Sequence, residues 1–347
     1  MRVAIVGVTG AVGQEFIRLL EERQFPMTTL RPYASARSAG KTITFAGTTY
    51  TVEALPEDGN LEADVVFSSA GGSISKAHAK AWAAHGAVVI DNTSAWRMDP
   101  QTPLVIPEVN LAAARTHQGI IANPNCSTII ALMALAPLER AFGIRRATVA
   151  TYQAVSGSGA AGIDELDSQS RAYLAGDELI PNKFQHPIAF NLFSHDSDMY
   201  EDGYNTEERK LLFESRKILA RPDLRISATC IRVPVFRAHS EAIHVEFDRP
   251  VSVPEAHEVL ARAKGVQIID DRASNHFPTP QLASGQDDVL VGRIRADSSL
   301  EGGLVLFVAG DQIRKGAALN AVQIAEGMLA EGFLSNHVPT ASVALSS

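Results

Sequence analysis

The chain has 347 residues, 46% hydrophobic and 20% charged, a balance that supports a sizeable core and favours two domains over one. A formal net charge of −8 argues against nucleic acid or an anionic membrane surface as partner. Two cysteines, Cys126 and Cys230, cannot form a disulfide framework and suggest a reducing, cytosolic setting.

Met1 to Val8 is apolar for one strand only and lacks the long core and cleavage site of a signal peptide. Val3 to Val6 reads as a buried strand, and Ala11 to Glu22 as a helix with Val12, Phe16, Leu19 and Leu20 at helical spacing. Leu30 to Ala34, Asp64 to Phe67, Ala87 to Asp91 and Ile120 to Ala122 read as further strands, with a helix at Ser73 to His85. Apolar strands alternating with helices imply a Rossmann-like, doubly wound parallel sheet. After Cys126 the strands are longer and several alternate: Thr148 to Gln153, Leu224 to Val233, His239 to Phe247, Val289 to Arg295 and Leu304 to Ala309. Helices are predicted at Ala160 to Ala175, Asn205 to Leu219 and Pro254 to Lys264. Gly176 to Gly203 reads as a long loop or interface arm. The expected organisation is a nucleotide-binding domain over 1–126 and an α+β domain over 127–313 with a mixed, largely antiparallel sheet. A C-terminal helix at about 314–347, strongest over Lys315 to Leu329, completes the first domain. No apolar stretch approaches the roughly 20 residues needed to span a bilayer.

Gly7-Val8-Thr9-Gly10-Ala11-Val12-Gly13 follows a strand and opens a helix, where glycines permit a tight turn and a close approach to a pyrophosphate. At the end of the second strand an NAD site often carries an acid for the ribose hydroxyl. Here Ser35, Arg37, Ser38 and Lys41 offer cations and hydroxyls instead, a set that suits a 2′-phosphate and favours NADP. Ser68-Ser69-Ala70-Gly71-Gly72 again joins a strand to a helix and is a candidate lining for the same cofactor.

Asn123-Pro124-Asn125-Cys126-Ser127-Thr128 places a thiol at the mouth of a helix that continues as the apolar run Ile129 to Leu135. Unpaired N–H groups and the positive end of the helix dipole favour thiolate there, and the same N–H groups suit an oxyanion. Cys230, inside an apolar strand, reads as packing. The histidines are scattered, with no His-Glu-x-x-His and no Cys-x-x-Cys, so a metal site has no support.

These motifs together resemble aspartate-β-semialdehyde dehydrogenase over essentially the whole chain. The resemblance also rests on Tyr152-Gln153-Ala154-Val155-Ser156-Gly157, Arg232-Val233-Pro234-Val235 with His239-Ser240-Glu241, and Gly316-Ala317-Ala318-Leu319-Asn320-Ala321. It implies reductive dephosphorylation of L-β-aspartyl phosphate by NADPH through a cysteine thioester, in the biosynthesis of lysine, threonine, methionine and isoleucine. It makes Cys126 the nucleophile, His239 the acid/base and Gln153 the group that orients the substrate. Arg232 is implied for the substrate carboxylate, Glu207 for its ammonium, and Arg97, Lys210 and Asn125 for phosphate. Gly7, Thr9, Gly10, Ala11, Val12, Gly13, Ser35, Arg37, Ser38, Ser68, Ala70, Gly71, Ser156, Gly157 and Asn320 would contact NADP. A cytoplasmic homodimer or homotetramer is implied as well.

Without the resemblance, spacing does not choose between His239 and His244, which an unbroken strand points to opposite faces. Glu207 and Lys210, three apart on a helix, could form a plain surface pair, and Glu208 competes with Glu207. Two other functions stay open: N-acetyl-γ-glutamyl-phosphate reductase, a sister enzyme, and a non-catalytic NADP-binding paralogue.

Overall fold

The structure is a computed structural model and describes residues 1–334. Thirteen residues of the expected C-terminal segment, 335–347, lie outside the described residues.

The first half builds a six-stranded sheet in which every pairing is parallel, with Arg2–Val6 and Val65–Ser68 at its centre. Each of these strands is a short run rich in Val, Ile and Phe, buried almost throughout, which suits a sheet covered on both faces. Ala11–Glu22 packs Phe16, Leu19 and Leu20 into one covering layer, and the last helix, Leu319–Ala330, adds Val322, Ile324 and Met328 to that layer. This helix is reached through a wider helical turn, Arg314–Ala318, so its regular part starts four residues later than Lys315. Gly72–Ala84 covers the opposite face, with Trp82 buried among Val66, Val89 and Leu104.

The second half is a mixed seven-stranded sheet with four antiparallel and two parallel pairings. Its longest strand, Ile144–Gln153, begins four residues before the expected Thr148 and lies parallel to Arg225–Arg232 and antiparallel to His239–Phe247. Between the sheets runs Cys126–Phe142. Residues Ile129 to Ala136 of this helix are apolar on all sides, and the whole run is buried, which is what a helix without a polar face requires. A sequence of this kind therefore sets the Cys126 thiol at the end of a core helix.

Several short elements were not read from the sequence, among them a hairpin and a strand of the arm. Thr42–Phe45 and Thr48–Thr51 form a small hairpin turned by Ala46 and Gly47, both at positive φ. Within the arm, Phe193–Ser194 adds a short antiparallel strand against Ile231 and Arg232.

Candidate active site

Asn125 caps the cysteine helix. Its Oδ1 accepts from the N–H groups of Ser127 and Thr128 at 3.1 and 3.2 Å. Cys126 is therefore the first residue of the helix and partly open to a cleft of about 400 Å³ between the two halves. The same cleft is lined by Arg97, Asn125, Gln153, Glu207, Lys210, Arg232 and His239. All eight catalytic and substrate-binding candidates thus meet in one place.

Register explains three of them. Gln153 pairs with Arg232 across parallel strands, and Ser240 pairs with Tyr152, so Gln153, Arg232 and His239 end neighbouring strands on one sheet face. His239 is fully buried and His244 is exposed, the alternation expected of an unbroken strand. The helix Thr206–Ile218 supplies the rest. Glu208 is spent on its N-terminus, where it accepts from the N–H of Asn205 in a capping box and from the N–H of Cys230. Glu207 faces the cleft instead. It accepts from Asn125 Nδ2 at 2.8 Å, Gln153 Nε2 at 3.1 Å and Lys210 Nζ at 2.9 Å.

Charges in this space perturb one another. Burial works against the Glu207 carboxylate, but Lys210, His195 and the amide of Asn125 hold it well below the usual range. Burial also lowers Lys210, yet Glu207 outweighs it and keeps the ammonium firmly protonated. His239 is pushed down to about 3 by burial and then by the charge of Arg232, so its ring is neutral.

Cys126 departs from expectation. Burial, helped by the charge of Glu207, pushes its thiol up to about 12, against the pull of Arg97, Lys210 and the N–H of Ser127. The resting site holds a thiol beside a neutral imidazole, because desolvation outweighs the helix terminus.

The arm contributes residues that the sequence did not single out: Lys183, His195 and Asp196 reach the cleft. Arg232 donates through Nε and Nη2 to Asp196 Oδ1, through Nη2 to His195 Nε2 at 2.8 Å, and through Nη1 to the carbonyl of Ala154. The polar run His195-Asp196-Ser197-Asp198 within the arm was the available signal.

The glycine turn fits a dinucleotide. A Cβ on Gly7 would meet the backbone of Ser69 at 2.8 Å, and one on Gly13 would meet the carbonyl oxygen of Gly7 at 2.3 Å. Only glycine permits these approaches. They bring together two helix N-termini, capped by the residues Gly10 and Gly71, and neither has a side-chain cap on its first-turn N–H groups. Val12 and Ser69 extend the cleft from this cradle to Cys126. Ser35 and Arg37 stand exposed beyond the second strand, with Ser38 half-buried beside them. Ser156 accepts a hydrogen bond from Gln312, and a Cβ on Gly157 would lie 3.3 Å from His239 Nε2.

Of the cofactor candidates, Val12, Ser156 and Gly157 line the cleft, whereas Ser68 and Asn320 are fully buried outside it. Ser68 is fully buried with no partner for its hydroxyl among the described residues. Asn320 is fully buried too: its Nδ2 donates to Asn123 Oδ1 at 2.6 Å and to the carbonyl of Val105, and its Oδ1 accepts from the buried Lys315 at 3.0 Å. Here Asn320 supports the loop before Cys126.

A family model described as Semialdehyde dehydrogenase, NAD binding domain, matches residues 2–117. One described as Semialdehyde dehydrogenase, dimerisation domain, matches residues 135–315. An aspartate-semialdehyde dehydrogenase of Aquifex aeolicus (strain VF5) is 51% identical over 337 residues, covering 96% of this chain and 99% of its own. One of Synechocystis sp. is 51% identical over 338 residues, with the same shares covered. A crystal structure of aspartate semialdehyde dehydrogenase II complexed with ASA, from Vibrio cholerae, matches with a TM-score of 0.92. It is 44% identical and covers 95% of this chain and 98% of that one.

Proposed function

The chain belongs to the aspartate-semialdehyde dehydrogenase family, and from that premise we propose that it converts L-β-aspartyl phosphate to L-aspartate β-semialdehyde, with NADP as cofactor and a thioester on Cys126. The observation that carries this reading is the single cleft in which Cys126, at the head of a buried helix, faces Gln153, Glu207, Lys210, Arg97, Arg232 and His239.

In the reductive direction the sulfur of Cys126 bonds to the acyl carbon, the bond to phosphate oxygen breaks, and the thiol proton leaves with the phosphate. Arg97 and Lys210 supply the two cations that hold the phosphate. Gln153 Nε2 and the Nε2–H of His239 would donate to the carbonyl oxygen as it gains charge. NADPH, when bound, supplies the hydride that takes the thioester to the aldehyde level. The Nε2–H of His239 donates a hydrogen bond to the thiohemiacetal oxygen as it carries charge; on collapse that oxygen re-forms the carbonyl as the carbon–sulfur bond breaks, and the released sulfur takes a proton from water. Splitting one hard displacement into two easier ones is what a covalent cysteine achieves.

Arg232 suits the substrate carboxylate and Glu207 its ammonium. A carboxylate at position 207 also weighs against an N-acetylated substrate, whose nitrogen carries no charge. The exposed Arg37, with no acid beside it in the turn, supports NADP over NAD. The pathways served would be those to lysine, threonine, methionine and isoleucine, and the assembly a homodimer or homotetramer.

An assay with L-aspartate β-semialdehyde, phosphate and NADP, run beside Cys126→Ser and an NAD control, tests the reaction, the role of Cys126 and the cofactor. Phosphate-dependent NADPH formation that the variant lacks is the expected result. Turnover only with the N-acetylglutamate analogue would move the assignment to the sister reductase. Bound NADP with no turnover would leave a binding protein.

A further inference from the structure

Glu214 has no part in the chemistry above, yet both of its carboxylate oxygens hold residues of the cleft wall. It sits on the face of Thr206–Ile218 that carries Glu207 and Lys210, at spacings of seven and four. It is 1% exposed. Its Oε2 accepts from the backbone N–H of Asn125 at 2.6 Å, and its Oε1 accepts from Arg97 Nη1 at 3.2 Å.

Each partner is otherwise fixed as well. Arg97 Nε donates to the carbonyl of Asn123 at 2.9 Å, and Nη2 to that of Asn92 at 2.9 Å. With Glu214, three of the five guanidinium N–H groups are tied to the protein, and two are left for a ligand. Asn125 is held at its N–H by Glu214, at Nδ2 by Glu207 and at Oδ1 by the helix it caps. The thiol follows directly in the chain.

We propose that Glu214 is a positioning residue that locks the phosphate-side guanidinium of Arg97 and the cap of the cysteine helix into one unit, so that phosphate and thiol keep a fixed relation. This rests on the functional reading above. A buried ion pair adds little to stability on average, and the two linked groups both border the reacting space. Burial holds the Glu214 carboxyl above its ordinary value, against the opposing pull of Arg97 and of the Asn125 N–H.

Glu214→Gln tests it in the full chain. A glutamine has one acceptor for two donors, so its amide N–H must face either Arg97 or Asn125. The KM for phosphate should rise about tenfold while the KM for the aldehyde stays within about twofold. In an Arg97→Lys background the same substitution should add little. If the glutamine variant does not fold, Glu214→Asp, which keeps the charge and releases one partner, should show the same phosphate-selective change.

Alkylation of Cys126 gives a second readout that needs no turnover. Iodoacetate should outpace iodoacetamide in the natural chain, relative to a free thiol, and Glu214→Gln should shrink that preference. An unchanged or lower KM for phosphate, an additive effect on Arg97→Lys, or an unaltered alkylation preference would overturn the proposal. A natural chain inactive on this aldehyde, with the preference still lost in the variant, would refute the functional reading and leave the role of Glu214 standing.

Discussion

The backbone N–H of Ala154 donates to Nδ1 of His239 at 3.0 Å. A neutral imidazole that accepts at Nδ1 carries its proton on Nε2, so this one amide sets the tautomer. Nε2 has no partner among the described residues, and the ring borders the cleft that holds Cys126. His239 thus presents an N–H donor to the cleft.

Labelling the histidines with ¹⁵N should show the Nε2–H tautomer of His239, unchanged between pH 5 and pH 8 as expected for a group pushed down to about 3. The sign for stability follows. The unfolded chain takes up a proton below the ordinary histidine value of about 6.5, and the folded ring does not until about 3. This group therefore costs stability as pH falls through that window, at a slope of up to about 1.4 kcal/mol per pH unit. A ring that titrates near 6.5 would contradict both statements.

Cys126 should alkylate slowly in the absence of substrate. With its thiol pushed up to about 12, the rate with iodoacetamide should keep rising with pH and show no plateau up to about pH 9. A plateau near neutrality would restore the thiolate expected from the helix terminus. Cys126→Ser should lower turnover by about 10⁴-fold or more and leave NADP binding intact.

Arg37 tests the cofactor. Arg37→Ala should raise the KM for NADP by about tenfold and leave that for NAD nearly unchanged, since one charge-assisted pair to a phosphate is lost. Equal effects on both would place the 2′-phosphate elsewhere.

Glu241 is fully buried, and neither carboxyl oxygen has a hydrogen-bond partner among the described residues. Burial, with the charge of Glu207 nearby, raises its pKa well above the carboxylate range, so the folded chain keeps a proton that the unfolded chain sheds. Stability from this group falls as pH rises above the ordinary glutamate value. Glu241→Gln should remove that loss and add about 1–3 kcal/mol at pH 8 relative to pH 5, read by urea unfolding. A variant no steadier at pH 8 would show that the carboxyl is satisfied in solution.

The apolar side chains Leu174, Ile180, Phe190 and Leu192 are more than 60% exposed, and all lie in or beside the arm of a domain whose family model is described as a dimerisation domain. Leu174→Glu with Phe190→Glu should halve the mass seen by light scattering. An unchanged mass would move the interface elsewhere.

What could be read in the sequence was what is local. The glycine turn and the capped cysteine helix each announce themselves within seven residues, because turn geometry and capping depend on adjacent positions. The same holds for strand alternation, which separates His239 from His244. The Thr42–Thr51 hairpin was legible in principle, since Ala46-Gly47 joins two alternating runs, but four-residue strands carry little signal. What stayed hidden joins distant segments. Asp196 reaches Arg232 only because Phe193 pairs with Arg232. Glu214 reads as one more charge on a polar helix until Arg97, 117 residues earlier, comes to rest against it. The thiolate expectation failed for a related reason: a helix terminus is visible in sequence, and the burial around it is not.

Asn123 and Asn320 are 197 residues apart and hydrogen-bonded, so the loop that leads to Cys126 leans on the helix Leu319–Ala330. Contacts of such separation form late. A growing polypeptide would hold Cys126 without this support until Asn320 has been made. During that interval Cys126 should react as an ordinary, oxidisable thiol. Ribosome-stalled chains that end before Gly310 should accordingly react with iodoacetamide faster than the finished protein. Equal rates would mean that the loop needs no support from the far end of the chain.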